Sequence, residues 1–245
     1  MDITKVEWTI TSQPPNLNGE EVHVWRIDLS DIAEAMPKLS QLLSSDEQQK
    51  ASRYHFEKDR NNFTIRRAVL RKVLSLYMDV TPAELHFIYN NFDKPALEAD
   101  TSIRFNASSS RGIGIVAIVL DTRIGIDIEF LDASFSKLEI AEKYFSTDEV
   151  RAIGDLQSEL RTAAFFDCWT KKEAYVKAVG DGMSHPLPNL AISSEKPGSF
   201  SIAATSEEEK GWTVKSFIPE ENYIASVAYE GGLRTIRHFQ LPKIF

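Results

Sequence analysis

The apolar runs GIGIVAIVL (residues 112–120) and RIGIDIEF (residues 123–130) lie in the middle of the chain, separated only by Asp121 and Thr122. Both runs are rich in isoleucine and valine, which favour strands. Two strand-like runs joined by so short a connection indicate a tight hairpin. We therefore expect the core of a sheet here, with the rest of the chain folded around it.

The segment before these runs combines helix and strand signals. Asp46 to Tyr77 predicts a helix with a basic face and a candidate break near Asp59, because apolar residues recur at helical spacing. Thr81 and Glu84 form a capping-box pattern that predicts a short helical turn. Two further runs predict strands: LHFIYN (85–90) and IRFNAS (103–108).

The segment after the central runs repeats this combination. Ser146 begins another capping-box pattern, and Glu159 to Val179 predicts a long helix ended by Gly180. Three later runs predict an antiparallel meander: WTVKSFI (212–218), YIASVAY (223–229) and TIRHFQL (235–241). We therefore expect an α+β fold made of two α+β halves, residues 1–121 and 122–245.

The composition is typical of a soluble globular protein, with 42% apolar and 26% charged residues. No run approaches the ~20 apolar residues of a membrane span, and the N-terminus lacks the pattern of a signal peptide. The single cysteine, Cys168, excludes an intramolecular disulfide framework. We expect a soluble, cytoplasmic protein without membrane contacts.

The net charge of −8 argues against broad nucleic-acid binding, which requires a basic surface. A local basic segment nevertheless allows a polyanionic ligand. Its members are Lys50, Arg53, Lys58, Arg60, Arg66, Arg67, Arg71 and Lys72. For any one arginine, a solvated helix face explains the charge as well as a ligand contact does.

Two carboxylates share one face of the RIGIDIEF strand. Strand alternation places Asp127 and Glu129 on one side and the isoleucines on the other. Like charges this close raise each other's pKa unless a cation lies between them. The pair alone fits a metal site less well than it fits the solvent-facing side of an edge strand.

A second constellation lies in FFDCWTKKEAYVKAVGDG (165–182). Glu173 and Lys177 are four residues apart, so they lie on adjacent turns of one helix face, with Trp169 one turn earlier. Taken alone, they suit an ordinary ion pair. The aromatic residues and the Gly-Asp-Gly exit indicate instead that this helix end is held against something specific.

These motifs resemble those of the surfactin-synthetase-type 4′-phosphopantetheinyl transferases. GIDIE (125–129) resembles the family's Gly-Ile/Val-Asp-x-Glu strand, and WTKKEAYVKAVGDGM (169–183) resembles its Trp-x-x-Lys-Glu-x-x-x-Lys helix with a glycine-rich exit. Three weaker matches extend the resemblance over roughly residues 46–190: DRNNFTIRRAVLR (59–71), FDKPAL (92–97) and RFNASSS (104–110).

The resemblance implies a Mg²⁺-dependent enzyme that moves the 4′-phosphopantetheine arm of coenzyme A to a serine of an acyl, peptidyl or polyketide carrier protein and releases adenosine 3′,5′-bisphosphate. It also implies a monomer whose two similar halves form an intramolecular pseudo-dimer around coenzyme A. The implied metal ligands are Asp127, Glu129 and Glu173. The implied catalytic residues are Glu173 and Lys177. The implied coenzyme A contacts are Lys50, Arg60, Arg67, Arg71, Lys94, Ser109, Asp127, Lys172 and Lys177.

Two positions depart from the family pattern. Asp93 replaces a glycine before Lys94, and Ser109 replaces a histidine that faces the 3′-phosphate of coenzyme A in the family. Ser109 can donate a hydrogen bond but supplies no positive charge. Two alternatives therefore stay open: a non-catalytic module that binds coenzyme A or a carrier protein, and a different Mg²⁺-dependent phosphotransferase or hydrolase.

Phe130 to Phe145 is the expected docking surface for the carrier protein.

Overall fold

The structure is a computed structural model that describes residues 3–29, 35–132, 137–180, 182, 192–196, 199–202 and 211–242. The helices are α1 (Met36–Ser40), α2 (Ser45–Ser52), α3 (Glu57–Ser75), α4 (Lys137–Tyr144), α5 (Thr147–Gly154) and α6 (Ser158–Val179). The strands of the first part of the chain are β1 (Thr9–Ile10), β2 (Glu21–Asp28), β3 (Phe87–Tyr89), β4 (Pro95–Leu97), β5 (Ile103–Ser110), β6 (Ile113–Leu120) and β7 (Ile124–Phe130). The later strands are β8 (Ile192–Lys196), β9 (Ser199–Ile202), β10 (Trp212–Phe217), β11 (Tyr223–Glu230) and β12 (Thr235–Gln240). The predicted mixed α+β content is confirmed.

Two sheets form the body of the molecule. One has five strands in the order β1-β12-β2-β6-β5, and the other has three strands in the order β10-β11-β7. In the first sheet β6 pairs antiparallel with both β2 and β5, with Trp25 opposite Val116. In the second, β11 pairs antiparallel with β7, with Val227 opposite Ile126. The pairs β3-β4 and β8-β9 form small two-stranded ribbons.

The hairpin predicted between the two central runs is wrong. Strand β6 is already paired on both edges, so β7 cannot add to it and joins β11 in the other sheet. Asp121, with φ of 52°, lies in the turn where the chain leaves one sheet for the other. The first run is apolar throughout because β6 is covered on both faces. In the second run, the isoleucines of β7 face the core between the sheets. Ile115 packs into the core between the sheets, whereas Val116 packs beneath α3.

The last strand, β12, belongs by sequence to the predicted half 122–245 but pairs with a strand of the half 1–121. Strand β12 pairs parallel with β2, which places residues 235–240 in the five-stranded sheet of the N-terminal half. The predicted antiparallel meander therefore holds for β10 and β11 but not for β12. This return connection ties the two halves together through one sheet.

The helix ends follow local sequence signals. The predicted capping box at Ser146 is formed, with the Glu149 backbone N–H donating to Ser146 Oγ. At the 3₁₀ turn over Pro82–Glu84, the Thr81 backbone N–H and hydroxyl both donate to Glu84 Oε2, at 2.9 and 2.7 Å. Gly180 ends α6 with φ of 91°, a left-handed conformation that costs glycine little. The break in the basic helix falls at residues 53–56, slightly before the predicted position.

Helix α6 packs with its backbone directly against β7. Gly125 makes this approach possible, because a Cβ atom at this position would overlap the Ala174 carbonyl oxygen and the Ala178 amide nitrogen. The glycine of the GIDIE motif therefore sets how closely the helix lies over the strand.

Among the described helices, none is both long and apolar enough to cross a membrane.

We predict that Gly125→Ala lowers the free energy of unfolding by at least about 1–3 kcal/mol, because the added methyl group forces α6 away from β7. Urea denaturation followed by circular dichroism measures this loss. Gly154→Ala is the matched control, since nothing lies within 4 Å of a Cβ there. Equal stability of the Gly125→Ala and wild-type proteins would contradict the packing described.

Candidate active site

The edge strand β5 meets β7 through side chains instead of a backbone ladder. The Ile126 backbone N–H donates to Asn106 Oδ1 at 3.0 Å, and the Phe130 N–H donates to Ser110 Oγ at 3.2 Å. Because side chains span the gap, the two sheets diverge at this seam. The seam places alternate polar side chains of β5 beside the polar face of β7.

An ion pair occupies the middle of the seam. Lys177 Nζ donates to Asp127 Oδ1 at 2.6 Å and to Ser108 Oγ at 3.0 Å, and Ser108 Oγ donates to the same Asp127 oxygen at 2.9 Å. Asp127 is only 3% exposed, so it does not lie on a solvent-facing side of the sheet. The strand motif and the helix motif, 50 residues apart, thus meet directly.

Two further carboxylates lie around this pair. Burial and the nearby Asp127 charge raise the pKa of Glu129 to about 7, although Ser110 Oγ donates to Glu129 Oε2 at 3.2 Å. Burial and Asp127 also raise the pKa of Glu173. Burial is the larger cause of both shifts, and the Asp127 charge adds to it while Lys177 opposes it.

Two oxygens of this cluster are buried without a hydrogen-bond partner: Asp127 Oδ2 and Glu173 Oε1. A buried carboxylate oxygen without a donor is costly, and a hard cation with oxygen ligands would relieve the cost. In the described part of the chain, no three His, Cys, Asp or Glu side chains are already arranged to hold a metal ion. The carboxylates of Asp127, Glu129 and Glu173 offer oxygen ligands that suit a hard cation, but in this structure the Lys177 amine is bound to Asp127 Oδ1 at 2.6 Å.

The cluster opens into a cleft of about 960 Å³, at the upper end of the range for ligand sites. Its acidic end consists of Asp127, Glu129 and Glu173 with Lys177. Lys50 of α2 and Arg66 and Arg67 of α3 form a basic wall of the cleft, which also includes Asp59. Arg67 Nε lies 3.6 Å from Glu47 Oε1. Ser108, Ser109 and Trp169 line the cleft as well.

Arg71 lies outside this cleft, contrary to the role implied for it. It is 1% exposed and donates from Nε to Glu47 Oε2 at 2.6 Å. Its other nitrogens donate to the carbonyl oxygens of Pro82 and Leu85 at 2.7 and 2.8 Å and to Ser44 Oγ at 2.8 Å. Arg71 therefore holds α2, α3 and the 3₁₀ turn together, and the coenzyme A contact implied for it is corrected.

Lys172 also has a structural position. Its amine is fully buried, 2.8 Å from Glu149 Oε2 and 5.5 Å from the centre of the Phe145 ring. This ion pair joins α6 to the capping box of α5. The pyrophosphate contact implied for Lys172 is therefore corrected as well, because the amine faces the helix interface and not the cleft.

The remaining implied residues divide between the cleft and its surroundings. Lys94 Nζ donates to the Ala178 carbonyl oxygen at 2.8 Å, so its amine lies at the end of α6. Arg60 lies in the first turn of α3, and its side chain is outside the described lining of the cleft. Within the expected docking surface, residues 133–136 lie outside the described residues.

Three polar residues of the site were not assigned roles from the sequence. Arg66 lines the basic wall, Ser108 contacts both Asp127 and Lys177, and Ser110 contacts Glu129. The alternation of Asn106, Ser108 and Ser110 on one face of β5 was the available signal. The alternation alone did not identify a site, because the sequence does not show that β7 lies beside β5.

The chain matches two family models that divide it near the start of β7. Residues 123–228 match the 4′-phosphopantetheinyl transferase superfamily, and residues 27–118 match the N-terminal part of a 4′-phosphopantetheinyl transferase. Together the two matches include every cleft residue described above.

Three curated relatives are named as 4′-phosphopantetheinyl transferases. The 4′-phosphopantetheinyl transferase HetI of a Nostoc species is 33% identical over 232 residues, which cover 92% of this chain and 95% of that protein. The transferase gsp of Aneurinibacillus migulanus is 31% identical over 154 residues, 63% of each chain. Sfp of Bacillus subtilis is 26% identical over 160 residues, 65% of this chain and 70% of that protein.

The match to HetI over nearly the whole of both chains shows that this chain belongs to the 4′-phosphopantetheinyl transferase superfamily. Within it, the predicted surfactin-synthetase type is confirmed, and the chain is a 4′-phosphopantetheinyl transferase.

We predict that Arg71→Met lowers the free energy of unfolding by about 3–5 kcal/mol, because buried Glu47 loses its 2.6 Å partner and keeps only Arg67, whose Nε is 3.6 Å away. Arg66→Ala on the same helix changes it by less than about 0.5 kcal/mol, because Arg66 is exposed. Guanidinium denaturation of both variants provides the comparison. Similar losses from the two substitutions would contradict the division into structural and cleft arginines.

Proposed function

We propose that this enzyme transfers the 4′-phosphopantetheine arm of coenzyme A to a serine of apo acyl, peptidyl or polyketide carrier proteins and releases adenosine 3′,5′-bisphosphate. The observation that carries the proposal is the meeting of Asp127, Glu173 and Lys177 in a cleft that is also lined by Lys50, Arg66 and Arg67. A pyrophosphate needs cations at the site of reaction, and a nucleotide phosphate needs cations further away.

The metal proposed for the site is Mg²⁺, held by Asp127, Glu129 and Glu173. When bound, it neutralises pyrophosphate charge and polarises the phosphorus–oxygen bonds. The proposal is supported by the partnerless Asp127 Oδ2 and Glu173 Oε1 and by the raised pKa of Glu129. Each of these features indicates a carboxylate cluster that a cation would stabilise.

Glu173 is proposed as the base for the carrier serine. Its carboxylate lines the cleft one helical turn before Lys177, where it can accept the proton of a bound serine. The serine oxygen then forms a bond to the β-phosphorus, next to the pantetheine, while its proton passes to Glu173. The bond from that phosphorus to the bridging oxygen breaks, and its electron pair leaves with adenosine 3′,5′-bisphosphate.

Lys177 is proposed to stabilise this leaving group. Its amine is fixed by Asp127 and Ser108, so it is oriented before the reaction begins. There it can neutralise the charge that develops on the bridging oxygen or protonate the leaving phosphate. It is also a proposed contact of bound coenzyme A.

The nucleotide end of coenzyme A is proposed to bind along the basic wall. Lys50, Arg66 and Arg67 supply positive charge, and Ser109 offers a hydroxyl where the family has histidine. Arg67 also lies 5.3 Å over the Tyr89 ring, which restricts its guanidinium. Arg60, in the first turn of α3, remains a proposed contact of coenzyme A.

The proposed assembly is a cytoplasmic monomer with two similar halves arranged as a pseudo-dimer. Support for two halves comes from the two family models, which abut between residues 118 and 123. In each half a helix packs on a sheet, α3 in the first and α6 in the second. The carrier protein is proposed to dock along residues 130–145, next to Glu129.

We predict that an apo carrier protein gains the mass of phosphopantetheine when incubated with this enzyme, coenzyme A and Mg²⁺. Intact mass spectrometry measures the gain, and a chelator control removes it. Asp127→Asn and Glu173→Gln reduce the rate by at least about 10³-fold, because each removes a group on which charge neutralisation depends.

Other outcomes favour the alternatives. Coenzyme A binding without transfer to fatty acid, polyketide or peptide carriers would support a non-catalytic module. Metal-dependent cleavage of coenzyme A without a carrier protein would support a hydrolase. A fully active Asp127→Asn variant would contradict the proposed metal site.

We further predict that Arg66→Ala weakens coenzyme A binding by roughly tenfold, since a charge-assisted hydrogen bond to phosphate is lost. Isothermal titration calorimetry measures the dissociation constant. Arg53→Ala is the matched control, an exposed arginine outside the cleft lining. An equal effect of both substitutions would indicate general charge attraction and contradict a specific basic wall.

A further inference from the structure

The loop between β3 and β4 contacts the C-terminal end of α6 from the opposite half of the chain. Lys94 Nζ donates to the Ala178 carbonyl oxygen at 2.8 Å and lies 3.4 Å from the Ile124 carbonyl oxygen. Asn90 Nδ2 donates to the Gly180 carbonyl oxygen at 2.9 Å. Carbonyl groups at a helix end have no partner within the helix, so the loop caps α6 from outside.

The loop that supplies these donors is itself fixed. Asn90 Oδ1 accepts from the backbone N–H groups of Phe92 and Lys94, each at 2.9 Å. The Asn90 N–H donates to the Lys94 carbonyl oxygen at 3.2 Å, which closes the loop. Asp93 has φ of 60°, the left-handed conformation in which Asn, Asp and Gly are enriched. Asn90 therefore organises the loop and also contacts the helix.

The carbonyl groups bound by Lys94 lie next to the residues of the proposed active site. Ala178 directly follows Lys177, and Ile124 lies three residues before Asp127. One amine thus contacts the end of α6 and the beginning of β7, the two elements whose side chains form the 2.6 Å ion pair. A cation at a helix C-terminus is also favoured by the helix dipole.

We infer that Lys94 and Asn90 are positioning residues that fix α6 against β7 and thereby place Lys177 beside Asp127. This inference rests on the proposed function for its catalytic consequence. The resemblance implies a different role, in which Lys94 contacts coenzyme A, and the test below separates the two roles.

The surroundings of Lys94 support this role. Burial and, to a smaller extent, the charge of Arg123 lower the pKa of Lys94 to about 8. The amine is therefore largely enclosed within the protein, with the cation of Arg123 nearby. Both side chains also lie close to Gly180, because a Cβ there would be 3.1 Å from Lys94 Cδ and 3.2 Å from Asn90 Nδ2.

The test compares Lys94→Met with Lys94→Arg, which keeps a charged donor, and with Lys215→Met, an exposed lysine of β10. Asn90→Asp is the second variant: it keeps the acceptor that shapes the loop but removes the donor to Gly180. Hydrogen–deuterium exchange of residues 174–180 and calorimetry with coenzyme A are measured on the free enzyme. Steady-state transfer to an apo carrier protein gives kcat and KM.

We expect exchange at the end of α6 to become roughly tenfold faster in Lys94→Met and Asn90→Asp. The dissociation constant for coenzyme A stays within about twofold, and kcat falls by roughly tenfold with little change in KM, since a positioning defect slows the chemical step. Lys94→Arg recovers part of both losses, and Lys215→Met matches the wild type.

A tenfold weaker affinity for coenzyme A with unchanged exchange would overturn the inference and make Lys94 a ligand. Unchanged exchange together with unchanged kcat would overturn it too. If the wild-type enzyme transfers nothing, the proposed function fails separately, while exchange and binding still decide whether the loop holds α6.

Discussion

The structure depends on the junction between β5 and β7, two neighbouring strands that share no backbone ladder. Strand β6 is paired on both sides, so β7 must begin a second sheet, and the side chains of Asn106, Ser108 and Ser110 span the gap. Backbone groups in such a gap would be left without partners unless side chains supplied them. The divergence of the sheets at this junction opens the cleft, and the same side chains orient the carboxylates in it.

The chemistry of the cleft follows from this arrangement. Gly125 brings the backbone of α6 against β7, which places Lys177 2.6 Å from Asp127 and Glu173 near both. Carboxylates that lie close together in a partly buried space have raised pKa values. They bind a cation more readily than isolated carboxylates do, and that cation can be the counterion of a polyanionic ligand. Phosphoryl transfer requires fixed charges of this kind more than it requires reactive side chains.

The local features could be read from the sequence, but the long-range pairings could not. Alternation in the GIDIE strand and the four-residue spacing of Glu173 and Lys177 identified the two motifs, and capping boxes and Gly180 marked helix ends. The hairpin prediction failed because the partners of β6 are set by distant strands. Arg71 and Lys172 appeared available for a ligand because Glu47 and Glu149 lie 24 and 23 residues away, and only the fold shows that these pairs are buried.

A crystal structure of the enzyme with coenzyme A and Mg²⁺ tests the central claim most directly. The account predicts coenzyme A in the cleft between the halves, its pyrophosphate between Lys177 and the carboxylates Asp127, Glu129 and Glu173, and its nucleotide along Lys50, Arg66 and Arg67. Arg71 and Lys172 should keep their buried partners. Coenzyme A bound elsewhere, or a metal ion held by other residues, would contradict it.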